Sequence, residues 1–483
     1  MKKNTLLKNA IYKFILNILK ILIPIITFPY IYRIFNPEIM GKVEFSQSLS
    51  SYFVTFAGFG VYNYGLREVS RIRNNETEKN KIFTELLIIS VVSTILTLFI
   101  YFIYIHFKFS KDILLKNMLL INSINIFSYI IYIEWINEAF ENYKFISLKT
   151  ITVRLLNLIC IFLFIKKEND YYKYLLFLNG FIFINNFISF FYIKRYVKLN
   201  FKELKLRKYF LPLIVIFFIT NINNLYTGLD KILLGFYAEN IKEVAYYGIA
   251  QRVMSLLVVV VMSVISVTMP RLSHYLGENK KIEYEKMLNE ISSFMYLLLF
   301  PISIGIIILS EEIALFFGGE SYLAAKAVLM ISGIRIIFLT ISGLLSNNVI
   351  FLQKKEKVML SILVTGLIIN SFMKLILIKV DYFNASSVAL TTMLVELILI
   401  ILEYFYIKEY LDINLNIFKI ESLKYLLFSS SFFVIKYFFK GLQVNHIVYS
   451  ILIFICCFFI YTILLLISKD KCLFKLLNKF SII

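Results

Sequence analysis

From residue 10 to residue 467 the chain alternates long runs of Ile, Leu, Phe and Tyr with short polar connections. Each run is about as long as the hydrocarbon core of a bilayer is thick, which takes about twenty helical residues to cross. Roughly fourteen such segments are predicted, at 10–33, 43–66, 82–107, 114–138, 145–165, 171–193, 210–236, 243–269, 288–310, 322–350, 357–379, 383–407, 421–440 and 446–467. In lipid every backbone N–H and C=O must find its partner within the segment, so each is read as a helix. The predicted fold class is an all-α integral membrane protein of about fourteen transmembrane helices.

Composition removes the soluble reading: apolar residues make up 59% of the 483, and the mean hydropathy is +0.78. A soluble core of this size could not bury so much apolar surface. The formal net charge of +20 is an orientation signal. If the N-terminus is cytoplasmic, roughly thirty-one Lys and Arg fall on the inner side and eleven on the outer, so both termini are predicted to be cytoplasmic. The basic balance therefore gives no sign of nucleic acid as a partner. The densest connection, from Lys194 to Lys208, reads either as a topogenic loop facing anionic membrane lipids or as a substrate-capturing surface. Cys160, Cys456, Cys457 and Cys472 have no metal-ligand spacing, and no disulfide framework or metal site is expected. The basic N-terminus leads into a long apolar run without a small-residue cleavage site, which reads as a retained first helix. A bacterial inner (plasma) membrane location is inferred.

No connection is long enough for a soluble catalytic domain, so any work must be done inside the bundle. A shift of 201 residues places Phe35, Glu38, Val43 and Phe45 on Phe236, Glu239, Val244 and Tyr246, and the basic connection from Arg67 on that from Arg271. The first twelve segments thus read as two six-helix lobes of the same orientation, 1–200 and 201–410, with two further helices and a cytoplasmic tail in 411–483. Parallel repeats of this kind favour a site between lobes and alternating access.

Four stretches carry a family resemblance. They are Ile26-Thr27-Phe28-Pro29-Tyr30 with Asn36-Pro37-Glu38, Gly41 and Phe45-Ser46-Gln47-Ser48; Tyr64-Gly65-Leu66-Arg67-Glu68; Leu229-Asp230-Lys231-Ile232-Leu233-Leu234-Gly235; and Met269-Pro270-Arg271-Leu272. In this order they resemble the Wzx-type polysaccharide repeat-unit flippases for O-antigen and capsule, a branch of the multidrug/oligosaccharidyl-lipid/polysaccharide (MOP) exporter superfamily. Asn36 stands where that family usually carries Gly. The resemblance implies a non-enzymatic transporter whose cargo is a polyprenyl-pyrophosphate-linked oligosaccharide. It also implies no cofactor beyond an H⁺ or Na⁺ coupling ion, and a polysaccharide polymerase and chain-length machinery as partners.

Candidate binding residues follow from polar groups within spans. Asn9, Lys13, Asn17, Lys20, Pro24 and Thr27 form one stripe on the first helix. A charge at the bilayer centre costs about 2.5–3.5 kcal/mol on the insertion scale, so it faces a partner or a wet cavity. Lys20 is deep enough for cavity lining, whereas Lys13 is also placed to snorkel to the inner headgroups. Further intramembrane cations are Arg154, Lys231, Arg252, Arg335 and Lys374, with Arg335 on one face with Ser332, Ser342 and Ser346. Such cations suit a pyrophosphate. The stripes Ser48, Ser51, Thr55, Gly58, Tyr62 and Thr220, Asn224, Thr227, Lys231 read either as sugar-facing groups or as glue between helices. The intramembrane acids Asp230, Glu134 and Glu396 are the candidates for ion coupling.

Two rival functions stand beside this one. A sibling of the same fold, such as a lipid II flippase or a drug/cation antiporter, differs in cargo; an acid-lined aromatic cavity would favour the antiporter, and the excess of intramembrane Lys and Arg favours an anionic cargo. A membrane polymerase, ligase or lipid-carrier glycosyltransferase would need a large outer loop or a paired-acid motif, and the sequence has neither.

Overall fold

The computed structural model describes residues 3–416, 420–442 and 444–474, without the side chains of most of 3–20 and of 222–227. It is helical throughout and divides into two compact units, Met1–Phe236 with Asn240–Val244, and Tyr237–Glu239 with Ala245–Ile483. In the first unit the helices are α1 (Lys3–Ile34), α2 (Pro37–Gly58), α3 (Val61–Arg71), α4 (Glu76–Lys108), α5 (Ile113–Ser128), α6 (Glu134–Ala139), α7 (Tyr143–Phe164), α8 (Tyr171–Ile193) and α9 (Arg207–Tyr237). The second contains α10 (Lys242–Gly277), whose first residues belong to the first unit, then α11 (Lys281–Ile308), α12 (Ser310–Gly318), α13 (Ala325–Leu345), α14 (Glu356–Lys379), α15 (Ala385–Tyr410), α16 (Ile420–Phe439) and α17 (His446–Ile467).

Local chemistry sets the helix ends. Asn36, extended at φ −66° and ψ 164°, caps α2 by accepting from the Ile39 N–H at 2.9 Å, and Pro37 follows where a missing N–H costs nothing. Asn75, Asp112 and Asn384 cap α4, α5 and α15 in the same way. The segment predicted as one helix over 43–66 instead breaks at Phe59 and Gly60, both at positive φ (40° and 73°). Glycine is needed there: its φ is left-handed, and a Cβ at Gly60 would lie 2.8 Å from the Leu213 carbonyl. The segment predicted over 114–138 also breaks, through a tight 3₁₀ turn at Tyr129–Ile131, and α6 restarts at Glu134.

The first unit is held by packing and by polar groups shared between helices. Asn122 donates to Ser46 (3.1 Å) and accepts from Asn179 (2.8 Å), linking α2, α5 and α8. Ser50 and Tyr101 join α2 to α4 at 2.6 Å. Such bonds are worth about 0.6 kcal/mol each in a membrane bundle. Three family stretches mark close approaches: Gly65 lies under the Trp135 ring, Gly235 against the Phe45 ring, and Gly41 against the Ile241 carbonyl.

In the second unit α11, α13 and α15 form the heart, 61%, 56% and 56% buried, whereas α14 is 17% buried. A π-helical turn, Ser346–Phe351, ends the fourth helix of this lobe. The helices α16 and α17 extend the same core: Phe432, Tyr461 and Leu465 pack with Tyr296 and Leu299 of α11.

Among the described residues ten helices are long and apolar enough to cross a membrane; the segments at 10–33, 43–66, 210–236 and 421–440 are helical and lie outside that ten. The compact units are bounded elsewhere than the expected lobes. The division at 200/201 moves to 236–245, because α9 is tied to the first unit by Lys231–Glu44, Tyr209–Glu85 and Gly235–Phe45. The two last helices are part of the second unit's core, not a separate addition.

One kind of contact recurs in the two units. The connection after α8 is laced to α4: Asn80 accepts from Lys198 N–H (2.9 Å), Thr84 from Asn200 N–H (2.8 Å) and Glu85 from Lys205 N–H (2.7 Å). The connection after α15 is laced to α11 in the same manner, Glu285 accepting from Asn414 N–H (3.0 Å) and Asn289 from Asn416 N–H (3.1 Å).

Candidate functional site

Charges in a membrane bundle locate its functional chemistry, because each is costly to keep there. In the second unit two such centres lie between α13 and α15. Arg335 donates through Nε (2.9 Å) and Nη2 (2.7 Å) to Oε1 of Glu396, with the Tyr247 hydroxyl 3.4 Å from Nη1. Both charged side chains are buried, 7% and 4% exposed. Glu403, two turns beyond Glu396 and 1% exposed, accepts at Oε1 from Ser342 (3.0 Å) and Ser346 (2.5 Å), two and three turns beyond Arg335. Residues seven apart recur on one helix face, so the row Arg335–Ser342–Ser346 meets the row Glu396–Glu403. Lys374, also 1% exposed, is buried on α14.

The first unit has two centres as well. Glu44 accepts from the Tyr32 hydroxyl (3.0 Å) and from Lys231 Nζ (2.8 Å), so a carboxylate of α2 binds a lysine of α9. Asp230, 1% exposed, acts electrostatically on Tyr52. At the break before α6, Glu134 receives Lys149 Nζ of α7 at 3.0 Å on both oxygens, and the Ser189 hydroxyl of α8 bonds both partners.

The predicted candidates therefore separate into groups. Arg335 and Glu396, expected as a cargo cation and a coupling acid, are partners. Lys231 and Glu134 hold the acid and the lysine just named. Asp230 and Lys231 are adjacent in sequence and, as consecutive helical residues, do not face each other. Arg252 is half-buried on α10. Arg154 is half-buried on α7 with no ion pair among the described residues. Lys13, Asn17 and Lys20, as well as Asn224 and Thr227, have side chains outside the described residues. Lys149, counted from sequence among the inner loop cations, is buried within α7.

Sequence reasoning missed Glu44 and Glu403. The α13 serine row was visible, and two acids seven residues apart on α15 were its complement. In the stripe Ser48, Ser51, Thr55, Gly58, Tyr62, Ser51 and Thr55 bond back to the carbonyls of Ser48 (2.7 Å) and Ser51 (2.9 Å), whereas Gly58 lies against the Tyr129 ring and Tyr62 stacks on Tyr132. On another face of α2, Ser46 and Ser50 bond Asn122 and Tyr101.

Arg335 and Lys231 thus face carboxylates of their own chain, and removing one member of such a buried pair costs about 3–5 kcal/mol. Among the described residues no cluster of three or more His, Cys, Asp or Glu could hold a metal ion.

Comparison with known proteins gives matches of three kinds. Residues 6–276 match the model of the polysaccharide biosynthesis protein family, and residues 212–376 that of the MatE family. A Shigella dysenteriae protein described as an O-antigen transporter is 24% identical over 398 residues, 82% of this chain and 98% of that protein. The capsular polysaccharide biosynthesis protein CapF of Staphylococcus aureus is 23% identical over 417 residues, 84% of this chain and 100% of its own. Among solved structures, the lipid II flippase MurJ in an inward closed conformation superposes with a TM-score of 0.73 at 18% identity, over 96% of this chain and 99% of MurJ. An inward-facing multidrug resistance MATE transporter of the MOP superfamily gives 0.64 at 12% identity, over 83% and 98%.

Proposed function

The chain belongs to the polysaccharide biosynthesis protein family, and we propose that it is a flippase that carries lipid-linked oligosaccharide repeat units from the inner to the outer leaflet for surface polysaccharide synthesis. The observation that carries this reading is that family match together with the near full-length alignment to an O-antigen transporter. It is a multi-pass transporter of MOP fold and performs no covalent chemistry.

The finer reading is that the cargo hangs on undecaprenyl pyrophosphate, that the membrane is the bacterial plasma membrane with both termini cytoplasmic, and that alternating access is coupled to an H⁺ or Na⁺ gradient. Intramembrane Arg and Lys support an anionic cargo, and the cation bias of the connections supports the orientation. A polymerase and chain-length machinery would take up the product.

The test is transport in vesicles reconstituted with the purified protein. A polyprenyl-pyrophosphate-linked oligosaccharide loaded in the inner leaflet should become accessible to an external glycan-binding lectin. Equal or better transport of lipid II would assign the protein to cell-wall precursor export instead, the reading that the MurJ superposition favours. No transport of either would overturn the flippase assignment.

A further inference from the structure

We infer that Glu403 is a proton-binding site at the junction of α15 with the π-helical turn of α13, and that its occupancy by a proton sets how these helices pack. The inference rests on the transporter reading and deepens it.

Both lobes place one carboxyl where the fourth long helix breaks, bridged by a hydroxyl to the sixth. In the first unit the acid is Glu134, on the fourth-helix side, and the hydroxyl is Ser189 of α8. In the second the roles are exchanged: the hydroxyl is Ser346 and the acid is Glu403 of α15. The difference is the cation. Lys149, from the fifth helix, neutralises Glu134 at 3.0 Å, whereas no lysine or arginine pairs with Glu403 among the described residues.

The surroundings of Glu403 hold no substitute. The charged groups of the elements packed on it are Lys326 and Arg335 on α13, Glu356, Lys357, Lys374 and Lys379 on α14, and Glu396, Lys408 and Glu409 on α15 itself. None of them forms a hydrogen bond or ion pair with Glu403 among the described residues; its bonds are those from its two serines. Oε1 takes both hydroxyls and the buried Oε2 has no partner. An uncompensated carboxylate in such a place is far costlier than a neutral acid, so the group resolves the cost by holding a proton. Glu44, Glu134 and Glu396, by contrast, each pair with a cation.

The position suits a switch. Glu403 lies seven residues from the end of α15 at Tyr410, about 10 Å along the helix, so a small opening admits water. π-turns are irregularities that often mark functional sites. Loss of the proton would place a bare charge between Ser342 and Ser346, favouring an arrangement in which that turn opens to solvent. The two packings therefore differ in proton affinity, which is what coupling to a proton gradient requires.

Infrared difference spectra of the protein in lipid vesicles, taken between mildly acid and mildly alkaline buffer, read a carboxylic-acid carbonyl directly. Wild type should show such a band, Glu396→Gln should keep it, and Glu403→Gln should lose it; Gln preserves the shape and still accepts the serine hydroxyls. Replacing both serines, Ser342→Ala with Ser346→Ala, removes donors that favour the charged form, so the band should persist to higher pH. In the same vesicles an imposed proton gradient should change flipping about tenfold in wild type and not in Glu403→Gln. Coincident spectra for wild type and Glu403→Gln overturn proton binding. A lost band with an unchanged gradient response overturns the coupling. Because the spectra need no cargo, absence of flipping in wild type counts against the flippase reading alone.

Discussion

Arg335 and Glu396 meet through two hydrogen bonds, from Nε and from Nη2, that both end on Oε1. The pair joins α13 to α15 in the buried heart of the second unit, so its energetics and its use are separable by substitution. Arg335→Ala should destabilise the protein by about 3–5 kcal/mol, because it removes one member of a buried ion pair. The double replacement by Leu at both positions should recover most of that loss in thermal unfolding yet abolish transport. A double variant that transports at the wild-type rate would make the pair purely structural.

Gly65 explains one of the family stretches physically. A Cβ there would lie 2.6 Å from Cε3 and 2.7 Å from Cζ3 of Trp135, which is itself fully buried. Gly65→Ala should cost about 1–3 kcal/mol through displacement of the indole. Trp135 is the single tryptophan, so its emission reports the shift directly. Unchanged emission and unfolding would show that α3 and α6 separate without cost.

Glu85 fastens the basic connection to α4 by accepting from the Lys205 N–H at 2.7 Å and from the Tyr209 hydroxyl at 2.5 Å. Glu85→Ala leaves both donors without that acceptor, at about 1–3 kcal/mol. The expected result is faster trypsin cleavage at Lys202 and Lys205 in inside-out vesicles, with no cleavage there in right-side-out cells. Cleavage from outside would reverse the proposed orientation.

Asp470, just beyond α17, anchors the chain after that helix on α16. Burial works against its charge, but Lys424, the Leu473 N–H and the Tyr425 hydroxyl outweigh it and hold the carboxyl below its ordinary value. A carboxyl lowered by folding stabilises the folded state above its unfolded value of about 3.9, and the contribution is lost as pH falls below that. The anchor should therefore be insensitive to pH above about 5 and loosen below about 4. Proteolysis after Lys469 and Lys471 across that range measures it, and Asp470→Asn should show the acid behaviour at neutral pH.

The sequence by itself determined the helices, the all-α membrane class and the family, since each depends on local composition or on order along the chain. Twenty apolar residues in lipid have no alternative to a helix, and Asn36, Asn75 and Asn384 announce where helices begin. It also marked the residues costly to place in a membrane: Arg335, Glu396, Lys231, Asp230 and Glu134. What it could not decide was which of these meet. Partnership between Arg335 and Glu396, or between Lys231 and Glu44, joins residues 61 and 187 positions apart, and it depends on the rotation of each helix about its own axis. The breaks at Phe59–Gly60 and Tyr129–Ile131 were hidden for a related reason: their apolar character fits an unbroken span, and only packing against Leu213 and the placement of Glu134 near Lys149 make the interruption favourable. Packing likewise assigned α9 to the first unit. Only tertiary structure set Glu403 apart, because what distinguishes it from Glu134 is a lysine that one lobe supplies and the other does not.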